Sequence, residues 1–202
     1  MGVKYFFLTF AASFFLQTSR AQMYVKNILH DKIPVAYTGK VIDAYEYQDK
    51  AGLHIYLVTK IQQDKPLYKV SIFGFAYTSV NGVFVKDWEI KDFSDDDVLL
   101  YYEHTKIEDA DKDGIYETVF VYELDPNMGD GSNWKVMIHY KNTKAVLRAH
   151  IPELDSDSYT ETMDKSFDSM PASIKKFTKS VWDGVAKERH LRGTPWYKIT
   201  GN

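Results

Sequence analysis

From Val41 to Leu147 the chain runs as short apolar stretches broken by turn residues. Val41-Ile42-Asp43-Ala44-Tyr45-Glu46-Tyr47 is the first, Asp49-Lys50-Ala51-Gly52 makes a turn, and Leu53-His54-Ile55-Tyr56-Leu57-Val58 returns as the second arm of a hairpin. Lys69 to Tyr77 is a third strand and Val83 to Ile90 a fourth. They meet at Asn81-Gly82, a pair that adopts the left-handed backbone a tight hairpin requires. Val98 to Tyr102, Thr118 to Tyr122, Trp134 to Tyr140 and Ala145 to Leu147 extend the series, with Lys141 to Lys144 as the final turn. Tyr45 and Tyr47 alternate with Glu46, and Ile55 and Leu57 with Tyr56 and Val58. Period-two alternation predicts sheets with one buried face. The connections are too short for helical crossovers, which points to an antiparallel sandwich, partial barrel or meander.

Beyond Asp157 the period changes. Phe167, Met170, Ile174, Phe177, Val181 and Val185 recur at helical spacing. Pro171 suits the first turn of a helix. The expectation is a short helix before it and a longer one from about Pro171 to Arg189, within a helical segment of about 157–190. The stripe, widened by Trp182 and Ala186, docks on the sheet. The fold class expected is therefore α+β, mainly antiparallel β with a C-terminal helical segment packed on it. A further short strand is expected around Trp196 to Ile199. Lys175, Lys176, Lys179, Lys187 and Arg189, continuing to His190 and Arg192, form a basic face, either solvated or able to engage an anionic partner.

Residues 1–21 read as a secretory signal. Lys4 gives a charged start, Tyr5 to Leu16 is a mostly apolar run too short to span a bilayer, and Ser19 and Ala21 are small residues where cleavage needs them. Without them the chain keeps 23 Lys and Arg against 28 Asp and Glu, a formal −5. That balance argues against a general nucleic-acid binder. There is no cysteine, hence no disulfide, thiol nucleophile or lipid-bearing Cys. No second apolar segment is long enough to cross a membrane. Residues 22–202 suffice for one domain with a real core, expected to be secreted or periplasmic.

The stretch richest in chemistry is Asp109-Ala110-Asp111-Lys112-Asp113-Gly114-Ile115-Tyr116-Glu117, a D-x-D-x-D-G-x-x-E loop between strand-like runs. Three aspartates at alternate positions can aim oxygens at one centre. Gly114 permits the sharp turn, and the Ile115 carbonyl and Glu117 carboxylate can close the shell. Six to eight hard oxygens are what Ca²⁺ takes. The first six residues match an EF-hand loop, but position twelve is Phe120, which cannot ligate, and a strand rather than a helix follows. The spacing resembles the short calcium loops of integrin-type propeller repeats and other extracellular β proteins. That resemblance implies Asp109, Asp111, Asp113, Glu117 and the carbonyl of Ile115 as ligands. The alternative is an acidic turn with no metal.

Other candidates are less specific. Asp95-Asp96-Asp97, with Asp92, can feed the same site or form a solvated turn. The polar stretch Asp125 to Asn133, with Asp130, is either a recognition loop or a long hairpin connection. The abundant Tyr and Trp can form a sugar-stacking platform or cross-strand packing. The histidines at 30, 54, 104, 139, 150 and 190 show no metal spacing. The G-x-S-x-G, Walker, G-x-G-x-x-G and H-E-x-x-H signatures are absent, so no catalytic residue and no organic cofactor is assigned. Paired carboxylates for glycoside hydrolysis meet only in three dimensions.

The span from about Lys106 to Arg148 resembles a group of small secreted proteins of Bacteroidetes-type bacteria known as surface polysaccharide biosynthesis proteins. The likeness rests on the acidic loop, the strand Thr118 to Tyr122, Trp134-Lys135-Val136-Met137-Ile138 and Lys144-Ala145-Val146-Leu147-Arg148, with Ala145 and Ala149 where that group usually has Tyr and Gly. The resemblance implies a secreted β-rich protein associated with surface glycans. The expected function is a calcium-stabilised binding or structural module of the cell envelope, with a glycan or an envelope protein as partner. The alternatives are a glycan-acting enzyme using loop carboxylates and an interaction module using the basic helix.

Overall fold

The computed structural model describes residues 24–63, 69–126, 131–153, 158–191 and 193–195. The expected leader at 1–21, the strand around 196–199, Arg192, and residues 127–130 of the polar loop lie outside the described residues.

Two antiparallel sheets stack face to face, and a helix covers one of them. The first sheet is a meander of β1 (Tyr24–Asn27), β2 (Lys40–Gln48), β3 (Leu53–Gln63), β4 (Lys69–Val80) and β5 (Val83–Ser94), each paired with the next. The turn between β4 and β5 is the predicted Asn81-Gly82, with φ of 53° and 79°. The second sheet contains β6 (Val98–Leu100), β7 (Lys106–Glu108), β8 (Glu117–Leu124), β9 (Ser132–Tyr140), β10 (Thr143–Ile151) and β11 (Thr160–Met163), in the order β11-β10-β9-β8-β6. β6 and β7 pair with opposite ends of one edge of β8. They are two pieces of one broken strand, interrupted by a 3-10 turn at Tyr102–His104. α1 (Ala172–Glu188) follows Pro171, which stands at the N-cap.

The core has three layers. Between the sheets, Tyr56, Val58, Val70 and Ile72 meet Phe120, Tyr122, Met137 and Val146. On the far face of the second sheet, Val119, Val121, Val136, Ile138 and Leu147 pack against Ile174, Val181, Trp182 and Val185 of α1. On the far face of the first, Ile55, Leu57, Phe73 and Phe75 are covered by Ile28, Ile33 and Val35. The Tyr77 hydroxyl donates to the Ala36 carbonyl and so ties down this crossing segment.

The expectation of one buried face per sheet fails at the central strands. Ile55, Tyr56, Leu57 and Val58 are all fully buried, because the crossing segment closes the outer face. β8 is buried along its whole length, between the first sheet and α1. Most of the aromatics are therefore core. Among the described residues the exposed ones, Tyr24, Tyr37, Phe93 and Tyr102, stand on separate elements rather than forming a platform. The segment expected to be helical from about 157 begins instead with edge strand β11, then a 3-10 turn at Lys165–Ser169 capped by the Asp164 carboxylate. Thr160-Glu161-Thr162-Met163 carries no apolar period of its own and takes its form from β10. The basic helix face is partly tied back: Lys179 pairs with Asp183 and Glu161, and Arg189 with Glu103 at 2.8 Å.

Candidate metal centre

The acidic loop is the end of the β7–β8 hairpin. Glu108 and Glu117 are cross-strand partners, so residues 109–116 form the connection. The chain turns through two left-handed residues, Lys112 at φ 64° and Gly114 at φ 90°. Side-chain oxygens then hold the backbone in place. The Gly114 N–H donates to Asp109 Oδ2 (3.0 Å), the Asp113 N–H to Asp111 Oδ1 (3.2 Å) and the Ile115 N–H to Asp113 Oδ1 (2.8 Å). The Ala110 N–H donates to Glu117 Oε2 at 2.8 Å.

These bonds leave a buried oxygen over on two of the acids. Asp109 Oδ1 and Glu117 Oε1 are buried and have no hydrogen-bond partner. Glu117 is only 1 % exposed. Asp109, Asp111 and Glu117 each place one oxygen within 4.8 Å of the others. Oxygens on opposite sides of a Ca²⁺ ion stand about 5 Å apart, twice its ~2.3–2.6 Å bond, so the spacing fits. Burial, then the neighbouring charges of Asp111, Asp113 and Asp109, push the Glu117 carboxyl up to about 7, although the Ala110 N–H pulls the other way. Desolvation and like-charge crowding both disfavour the anion.

The structure thus brings three of the predicted side chains together. Asp113 stands apart from that trio: its Oδ2 pairs with Lys141 at 2.9 Å, and the Lys141 and Ile115 donors hold its carboxyl below the usual range. Ile115 lies in the same loop. The second acidic cluster does not reach the centre. Asp125 follows the last residue of β8 while Glu117 is its first, eight residues or about 26 Å apart along an extended strand. The Asp125 N–H donates to the Asp97 carbonyl, and Ser94 donates to the Asp125 carboxylate, so those acids gather at the far end. Asp97 pairs with Lys60, and Asp92 with Lys135.

The sequence reading missed the support beneath the loop, which is the β2–β3 turn. The Lys50 N–H donates to the Gly114 carbonyl at 2.9 Å, and the Tyr116 N–H to Asp49 Oδ2 at 3.0 Å. A Cβ on Gly114 would meet the Lys50 side chain at 3.0 Å. Asp49 Oδ1 also accepts from the Ala51 N–H (2.7 Å) and bonds His54 Nε2 (2.8 Å). Burial opposes the Asp49 charge, but the His54, Tyr116 and Ala51 donors outweigh it and hold its carboxyl low. In the sequence Asp49 is an ordinary turn residue, and nothing local marks its long-range partners.

Between this turn and the loop opens a cleft of about 370 Å³, walled by Tyr47, Tyr116, Trp88 and His139. His54 Nδ1 bonds Thr78 Oγ1 at 2.8 Å, and that hydroxyl donates to Asp87 Oδ2 at 2.6 Å. Asp87 is the extra residue of a β-bulge opposite Ala76 and Tyr77, and a bulge re-aims side chains in this way. Asp49, His54 and Thr78 lie in the order of an acid–base–hydroxyl triad. Thr78 Oγ1, however, is shared between the His54 ring and the Asp87 carboxylate. Asp49, His54, Thr78 and Asp87 thus form one hydrogen-bonded row from the β2–β3 turn across β3, β4 and β5. No family model, curated protein or solved structure matches the chain.

Proposed function

We propose that this chain is an exported, calcium-stabilised β module that binds rather than transforms its ligand. One observation carries the reading: Asp109 Oδ1 and Glu117 Oε1 are buried without a partner inside a group of three converging carboxylates. A buried polar atom with no hydrogen bond is costly, and two such atoms in one loop call for a cation. The ion binds Asp109, Asp111 and Glu117, with the Ile115 carbonyl and water completing the shell. Asp113 joins only on leaving Lys141. Extracellular calcium satisfies even a site of ~10⁻⁴–10⁻³ M affinity, which accords with the signal-like residues 1–21. Surface glycans are the proposed setting.

Thermal unfolding with Ca²⁺ and after chelation tests the reading. Calcium should raise the midpoint by several degrees, as mass action requires of a ligand that binds only the folded state. Asp109→Asn should abolish the rise. Equal midpoints with and without the ion would remove the basis for the proposal.

A further inference from the structure

A second site lies on the other face of the same sheet. Across β8, β9, β10 and β11, Tyr122, Lys135, Arg148 and Thr162 stand in register as one row. The adjacent row is Leu124, Asn133, His150 and Thr160. Alternation puts both rows on the face of Phe120, Met137 and Val146, which looks toward the first sheet. Two cavities of about 180 and 300 Å³ open along these rows, and both have Lys135 and Arg148 in their walls. Lys144 borders the smaller, two positions before Val146 on the same face.

Lys135 and Arg148 are direct cross-strand neighbours, and like charges so placed repel. Asp92 of the first sheet lines the smaller cavity and is already engaged: it accepts from Tyr122 Oη at 2.7 Å and from Lys135 Nζ. Among the described residues the carboxylate nearest Arg148 is Asp164, 3.9 Å away, and its oxygens already accept the Val146 and Ser166 N–H groups. The planar fork of Arg148 is therefore largely open on the shared wall, with Lys144 as a further point charge. The larger cavity beyond it is lined by hydroxyl, amide and imidazole groups of Thr160, Thr162, Asn133 and His150, with Asp125, whose carboxylate accepts from Ser94, also in its wall. A cationic fork matches an oxyanion in two-point fashion, and the polar wall matches a hydroxylated body.

We infer that this groove binds an acidic sugar unit, its carboxylate or phosphate seated between Arg148, Lys135 and Lys144 and its hydroxyls along Thr160, Thr162 and Asn133. Tyr122 and Glu117 are five residues apart on opposite faces of β8, so this site does not depend on the ion.

The test is calorimetric titration of the full chain with D-glucuronate, D-glucose 6-phosphate, inorganic phosphate and D-glucose. Saturable binding of either sugar anion, weakened about ten-fold in Arg148→Gln and weakened by added salt, with D-glucose inert, supports the inference; the tighter of the two identifies the anion as carboxylate or phosphate. Lys144→Gln should give a smaller loss. Unchanged unfolding midpoints in both variants separate lost binding from lost fold. The inference is overturned if neither sugar anion saturates, if both variants bind like wild type, or if inorganic phosphate binds as tightly as glucose 6-phosphate, leaving the hydroxyl wall without a role.

Discussion

Glu117 and His139 make opposite demands on the metal-free protein. The Glu117 carboxyl rises from 4.5 to about 7 on folding, with burial as the largest cause. The folded state then holds a proton that the unfolded state has lost, so stability falls as pH rises from about 4.5 to 7. His139, half-buried and stacked on Trp88 at 4.5 Å, falls from 6.5 to about 4 through desolvation. Here the unfolded state holds the extra proton, so stability rises with pH from about 4 to 6.5. The two slopes oppose each other over most of this range, each on the order of a few kcal/mol. A bound ion replaces the Glu117 proton and leaves the His139 slope alone. Stability in urea should therefore rise with pH more steeply between pH 4.5 and 7.5 in saturating calcium than without metal. Glu117→Gln should show the rising slope with or without calcium, because the amide neither titrates nor leaves an ionised oxygen buried. At pH 8 its metal-free form should be more stable than metal-free wild type by about 1–3 kcal/mol.

At the level of elements, the loop is held by the β2–β3 hairpin as much as by its own strands. Asp49 joins the two, since one carboxylate accepts from the turn, from His54 and from the Tyr116 N–H. Asp49→Ala removes these bonds and leaves buried donors without acceptors. It should cost about 1–3 kcal/mol, the range for leaving a buried hydrogen-bonding group unsatisfied, read from denaturant midpoints. It should also weaken calcium binding about ten-fold, because the loop loses its anchor before the ion arrives. Asp95→Asn, at the opposite end of β8, should leave calcium affinity unchanged in the same titration.

Across the whole molecule, α1 closes a sheet face that cannot face water. Trp182 is fully buried, tilted against Trp134 at 5.8 Å, and its indole N–H donates to Tyr159 Oη at 2.8 Å. Trp182→Ala should destabilise by about 3–5 kcal/mol in urea unfolding. Among the described residues, no helix is long and apolar enough to cross a membrane.

Local pattern alone determined most of the strands, the Asn81-Gly82 turn, the helix after Pro171 and the nine residues that hold the candidate metal centre. Backbone propensity, apolar period and ligand spacing act over a few residues, so a sequence displays them directly. The tertiary structure decided which sheet faces were buried, because the covering segments at 28–35 and 172–188 come from distant parts of the chain. It also decided that Asp113 turns to Lys141, that Asp49 anchors the loop from more than sixty residues away, and that Lys135 and Arg148 share a wall. Those outcomes depend on strand register and on contacts between remote segments, and neither is written in any single stretch.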